Sequence, residues 1–414
     1  MILRRVVISG MGTICPVAHN LKDFWMKLVE GKSGIGIIDR FDPSDFPTKI
    51  AAQVKDFNAQ DYMPRTEARR MDLFIQYACA ASRLALEDAN LDLKKFNPDR
   101  AGVLVGSGIG GIDTFEKQHL AMLKRGVNGV SPFFIPMLIP NMAAGQVSIM
   151  FGARGPSSCS VTACATATNS IGDAFRIIQN GDADIMISGG TEAPITPLSI
   201  AGFCSMKALS TRNDQPEKAC RPFDIDRDGF VMGEGAGIVI LEELEHALKR
   251  GAKIYAELIG YGSSSDAYHI VQPDPEGNGA ARALTAALAE AGIKAGAIDY
   301  MNAHGTGTYY NDLVETKALK QVLGSDSQNM AINSTKSVTG HMMGAAGAVE
   351  LIVSVLSCNH YLITPTLNLD NPDPECDLDY VRGEARARHI EIAASESLGF
   401  GGHNAVLIIR KFKQ

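Results

Sequence analysis

Short apolar runs alternating with helical stretches predict an α/β fold whose sheets are buried on both faces. A second observation sharpens this, because the two halves of the chain repeat one plan. A strand, a sharp small-residue turn and a long helix occur at 157–180 and again at 330–357. Each half also closes on glycine followed by a β-branched strand: Gly235-Ala236-Gly237-Ile238-Val239-Ile240-Leu241, then Gly402-His403-Asn404-Ala405-Val406-Leu407-Ile408-Ile409. The period far exceeds the roughly 20–50 residues of solenoid repeats. Such a duplication divides the chain into 1–250 and 251–414 and leaves a cleft where the copies meet. Two independent α/β domains are the alternative.

In order, the predicted strands are 5–9, 101–106, 184–189, 236–241, 254–260, 299–303, 330–333, 391–395 and 404–410. The first is Val6-Val7-Ile8-Ser9-Gly10, far too short an apolar run for a signal segment and suited to a buried strand. Predicted helices are 72–89, 166–180, 278–291, 311–323 and 343–357. The second of these starts where Ala165 opens a helix-forming stretch that runs to Gly181.

Composition narrows the functional classes. A net charge of -7 argues against a general nucleic-acid binder. No apolar run approaches the ~20 residues of a membrane span. The eight cysteines include no CxxC pair, a pattern of reduced, mostly buried thiols and a cytoplasmic setting.

One of those cysteines stands apart. Cys164 lies in Val161-Thr162-Ala163-Cys164-Ala165-Thr166-Ala167, on a predicted strand-to-helix turn. A thiol at a helix N-terminus is expected to ionise more readily and can carry an acyl group as a thioester. Two histidines sit in equally small surroundings, His304 in Asn302-Ala303-His304-Gly305-Thr306-Gly307-Thr308 and His341 in Gly340-His341-Met342-Met343-Gly344-Ala345-Ala346-Gly347. The spacing of the three matches no zinc motif, and no HExxH occurs, so no metal is expected. His19, His119, His246, His269, His360 and His389 read as ordinary packing or surface groups.

The Thr-Ala-Cys-Ala-Thr run, the His-Gly-Thr-Gly-Thr loop and the Gly-His-Met-Met-Gly-Ala-Ala-Gly run resemble the catalytic blocks of the β-ketoacyl-acyl-carrier-protein synthases. The Asn-Ser-Thr-Lys-Ser-Val-Thr-Gly-His lead-in and Gly399-Phe400-Gly401-Gly402-His403-Asn404-Ala405 fit as well. The likeness runs from Val6 to about Ile409 and is nearest to the elongating type II enzymes of fatty-acid synthesis. It implies a thiolase-like α-β-α-β-α duplicated fold, a homodimer, no cofactor, and acyl carrier protein as partner. It implies Cys164 as acylated nucleophile, and His304 and His341 as the pair that drives malonyl decarboxylation. Lys336 and Glu350 match a buried charged pair, Phe400 a gating aromatic, and Asp312 an acid near the second block. Ile109, in Gly106-Ser107-Gly108-Ile109-Gly110-Gly111, matches the floor of the acyl pocket, with Phe203, Thr306, Thr308 and Asp312 as further substrate contacts. Backbone N–H groups of Cys164 and Phe400 are the expected oxyanion hole.

Carrier proteins are acidic, so docking on this acidic chain requires a local basic patch. Arg65, Arg69, Arg70 and Lys207 are the candidates. The chain departs from the family at Tyr309-Tyr310, where Pro-Leu is usual, and at Ala167 or Thr168, where glycine is frequent. An initiating synthase would have asparagine in place of His341, and a thiolase a second catalytic cysteine. A polyketide ketosynthase shares every block and remains the alternative.

Overall fold

The computed structural model describes residues 3–413, so Met1 and Ile2 of the N-terminal segment lie outside the described residues. Ten strands carry the architecture: β1 (Val6–Ile14), β2 (Ala101–Gly106), β3 (Ser157–Ser158), β4 (Ile185–Glu192), β5 (Gly235–Glu243), β6 (Ala256–Ser265), β7 (Tyr300–Asn302), β8 (Ala331–Asn333), β9 (Ile392–Gly399) and β10 (His403–Lys411). They run β3-β2-β4-β5-β1-β6-β10-β9-β7-β8, with the two-residue strand Asp379–Tyr380 beyond β8. Each of β1 to β5 has its counterpart five strands later, and parallel and antiparallel neighbours match. The halves join where Val6, Val7 and Ile8 pair with Leu258, Glu257 and Ala256. One sheet therefore runs continuously through both halves.

Seven helices matter to the layers and the site: α1 (Leu73–Asp88), α2 (Ile112–Arg125), α3 (Thr166–Gln179), α4 (Pro197–Ser205), α5 (Asn278–Ala291), α6 (Tyr309–Leu323) and α7 (Ala346–His360). α1 covers β1 and β5 from outside, and α5 covers β6 and β10. α3 and α7 touch each other and lie between the two half-sheets, with α7 packed on both β5 and β9. Every residue of β1 is buried, as a strand covered on both faces must be. The close fit of outer helix on strand is built the same way twice. A Cβ at Gly12 would collide with the carbonyl of Ala81 on α1, and one at Gly262 with that of Ala283 on α5.

The stretch Met343–His360 has the length and hydropathy of a membrane span, but it is the buried central helix of the core.

Candidate active site

Cys164 sits in the one-turn 3-10 segment Ala163–Ala165 that leads into α3, and its side chain is buried. Ala163 adopts φ 50°, a left-handed conformation that turns the chain sharply and aims the sulfur at the other half. There it meets His341, whose Nε2 lies 3.0 Å from Sγ. His304 stacks edge-on against His341 with ring centroids 5.3 Å apart. The sulfur and the two rings thus converge from β3–α3, β7–α6 and β8–α7, with ligand atoms all within 4.8 Å of one another. A Cys-His-His set is one that zinc accepts. In a zinc tetrahedron, however, bonds of ~2.3 and ~2.0 Å would hold sulfur and nitrogen about 3.5 Å apart. The observed 3.0 Å is a hydrogen bond.

The electrostatics correct one expectation. Burial pushes the Cys164 thiol up to about 12, against the lowering influence of the Lys336 charge and a hydrogen bond with the Phe400 backbone. The thiol is therefore not pre-ionised, because desolvation outweighs the Lys336 charge and the Phe400 backbone. Burial, then Lys336, holds both imidazoles well below the ordinary histidine value, with His341 adding to the effect on His304. Both rings are neutral at neutral pH. Lys336 and Glu350 are both buried and hydrogen-bond each other, so neither is a surface charge.

An apolar cluster containing Cys164 includes Ile195, Ile200 and Phe230, with Phe203 of α4 packed against it. Phe203 sits 5.6 Å from Phe230 and 6.3 Å from Phe400, and Phe230 sits 5.4 Å from His341, so aromatic rings line one continuous path. The loop of Ile109 approaches the residue before the nucleophile, since a Cβ at Gly108 would lie 3.3 Å from the Ala163 carbonyl. Thr306 and Thr308 place their hydroxyls 3.0 Å apart. Asp312 does not fit the substrate-contact role: it is fully buried and accepts the N–H groups of Phe223 and Gly307, at 2.8 and 3.3 Å. It shapes the loop that carries His304. Tyr309 and Tyr310 open α6, half-exposed, with the Arg227 guanidinium 5.2 Å over the Tyr309 ring. Arg65, Arg69, Arg70 and Lys207 are exposed and, among the described residues, take no ion pair; Arg70 lies 4.9 Å over the Phe133 ring.

Three buried acids escaped the sequence reading. Glu315 accepts the backbone N–H groups of His304 (2.5 Å) and Gly305 (2.8 Å), fixing the histidine loop. Burial, then the Glu315 charge, pushes Glu396 far above the usual carboxylate range. Glu192 gathers N–H groups from two loops. A lone acid inside an uncharged strand, as in Ser188-Gly189-Gly190-Thr191-Glu192, was the available signal.

Comparison with known proteins matches residues 3–247 to the β-ketoacyl synthase N-terminal domain and residues 255–370 to its C-terminal domain. A protein of Synechocystis named 3-oxoacyl-[acyl-carrier-protein] synthase 2 is 53% identical over 99% of both chains. One of the same name from Staphylococcus aureus is 54% identical over 99% of both. Among solved structures, a β-ketoacyl synthase from Burkholderia phymatum is similar at a TM-score of 0.92 and 37% identity, covering 99% of this chain and 100% of that one. A ketosynthase solved with its type II polyketide acyl-carrier protein also gives 0.92, at 35% identity, with 99% and 100% covered.

Proposed function

The chain belongs to the β-ketoacyl synthase family, and from that premise we propose that it is a 3-oxoacyl-[acyl-carrier-protein] synthase of fatty-acid elongation. The observation that carries this is the meeting of Cys164, His304 and His341 within one buried cluster. Cys164 Sγ attacks the thioester carbon of an acyl-carrier protein; the S–C bond forms, the carrier sulfur leaves, and the thiol proton ends on that sulfur. The exposed thiol of the departing carrier is replaced by malonyl-carrier protein. Its thioester oxygen then lies between the Nε2–H groups of His304 and His341, which donate to the enolate that forms as CO2 leaves. His341 already holds Nε2 3.0 Å from sulfur, so that nitrogen faces the reacting atoms, and the tautomer protonated there is the one that would serve the enolate. The enolate carbon attacks the acyl carbon on Cys164 and the C–S bond to the enzyme breaks, giving 3-oxoacyl-carrier protein and a Cys164 thiolate that takes up one proton from solvent to restore the thiol. Backbone N–H groups of Cys164 and Phe400 hold the oxygen during both attacks on that carbon.

Ile109 and Phe203 would bound the acyl chain, Thr306 and Thr308 the arm of the carrier, and Arg65, Arg69, Arg70 and Lys207 would steer the carrier itself. A homodimer is supported by α2, on which Thr114 alone is buried while Phe115, Leu120, Met122 and Leu123 are exposed. The exposed edge strand β3 supports it too. A cytoplasmic location is supported by eight cysteines that are all free. Identity of 53–54% to the 3-oxoacyl-[acyl-carrier-protein] synthases, against 35% to the polyketide enzyme, favours fatty-acid over polyketide elongation. Condensation assayed with graded acyl-carrier proteins and malonyl-carrier protein tests the reading. Product from each, with an acyl adduct mapped to Cys164, is expected. Activity confined to coenzyme A thioesters, or an adduct elsewhere, would overturn it.

A further inference from the structure

Among the buried acids beside the site that the proposed steps do not use is Glu192. It ends β4 fully buried, and among the described residues it forms no ion pair. Four donors converge on it instead. Oε1 accepts the Ser107 hydroxyl at 2.6 Å and the Ile109 N–H at 3.1 Å; Oε2 accepts the N–H groups of Gly108 at 2.7 Å and Gly344 at 3.0 Å. The Ser107 hydroxyl in turn accepts the N–H of Gly110 at 3.0 Å. Three of the four are backbone N–H groups that can only donate, so the site is built for an ionised carboxylate, although burial works against the charge. Two segments supply these donors. One is the loop that carries Ile109, and the other is the turn three residues beyond His341.

We propose that Glu192 is a positioning residue that locks the acyl-pocket loop to the histidine turn, so that one carboxylate sets both pocket depth at Ile109 and the seat of His341. This rests on the synthase reading above. The backbone at Gly344 is shaped for the same bond: a Cβ there would lie 2.5 Å from Gly108 N and 2.6 Å from Glu192 Oε2.

Glutamine at this position has one acceptor oxygen, which decides what Glu192→Gln disturbs. With its oxygen in the place of Oε1, the amide nitrogen would face two N–H donors, of Gly108 and Gly344. With its oxygen in the place of Oε2, it faces one, of Ile109, beside a Ser107 hydroxyl that can turn. The second arrangement costs less, so the Ile109 loop moves while the Gly344 turn keeps its acceptor.

The test is the ratio of kcat/KM between the longest and shortest accepted acyl-carrier proteins. Glu192→Gln shifts this ratio by ~10-fold or more, the effect that a methylene makes in an apolar pocket. Malonyl decarboxylation falls by a smaller factor. Ser107→Ala keeps the carboxylate but removes the relay to Gly110, and shifts the ratio in the same direction by less. An unchanged ratio in either folded variant, or one uniform loss across all chain lengths and decarboxylation, overturns the proposal. Should Glu192→Gln fail to fold, Ser107→Ala decides alone. If the parent enzyme itself does not condense acyl- with malonyl-carrier protein, the synthase reading fails instead.

Discussion

Two turns of the molecule share a backbone and differ in purpose. Ala163-Cys164-Ala165 leads into α3, and Met343-Gly344-Ala345 leads into α7. Each opens on a left-handed residue, Ala163 at φ 50° and Met343 at φ 48°, and each forms one 3-10 turn before its long helix. At the second position the first turn carries sulfur and the second carries no side chain at all. Duplication supplied one scaffold twice, and chemistry was loaded on one copy. The other copy gives its backbone N–H to Glu192 and holds the histidine side in place. In the proposed reaction the N-terminal half would then handle acyl transfer, and the C-terminal half decarboxylation.

The largest effects should separate the two turns. Cys164→Gln removes the nucleophile and should lower condensation by roughly 10⁴-fold or more, while malonyl decarboxylation, measured as CO2 release, persists. Loss of both activities together would unite what the comparison divides. Cys164→Ala should melt within about 1 kcal/mol of the parent. Gly344→Ala should lose about 1–3 kcal/mol through overpacking, because its Cβ would meet Gly108 N at 2.5 Å. Equal melting of these two alanine variants would mean that the turns are interchangeable.

On the other side, His304→Ala and His341→Ala should each lower decarboxylation about 10²–10⁴-fold, with acylation of Cys164 from acyl-carrier protein reduced less. Parent-level CO2 release from both would remove the histidines from the reaction.

The pH profile follows from burial. Both histidines lie well below their ordinary value in the fold, whereas the unfolded chain takes up these protons near pH ~6.5. The unfolded state then binds more protons below that pH, so this stability is full above it and declines as the pH falls through it. Decarboxylation should hold steady through neutral pH and fail only on the acid side. Lys336→Met removes a cation that lowers both rings, so their acid limb should move to higher pH. Alkylation of Cys164 by iodoacetamide should climb with rising pH through neutrality, since the thiol sits at about 12. A plateau reached near neutral pH would show a pre-ionised thiol.

The smallest effect concerns the carrier. Arg69→Glu with Arg70→Glu should raise KM for acyl-carrier protein several-fold, weaken its salt dependence, and leave a short carrier-free thioester unaffected. Matching losses on both substrates would assign the arginines to the fold.

Much of this was legible in the chain because local pattern and tertiary role agreed. The helix predicted at 278–291 is observed as Asn278–Ala291, and all nine predicted strands form. α2 was missed although its apolar residues gather on one face; in the structure that face points outward. α4 is short and apolar nearly throughout, which hides its periodicity. Cys164, His304 and His341 stood out because bulk is missing around them. The thiol's raised value was not legible, since desolvation depends on what the other half lays over it. Asp312 was misread for a related reason: whether an acid faces substrate or its own loop depends on where the loop closes.

The central ladder has a consequence for synthesis. β1 leaves the ribosome first, yet its two neighbours are Gly235–Glu243 and Ala256–Ser265. At ~5–20 residues per second, the middle of the sheet waits about 10–50 s for any partner. Val6-Val7-Ile8 is an apolar edge throughout that interval. Chain growth from the N-terminus cannot build this protein outward from its first strand. The nascent chain must keep that strand out of wrong pairings until Gly235–Glu243 has been made, and thiol and imidazoles can meet only after His341 has followed.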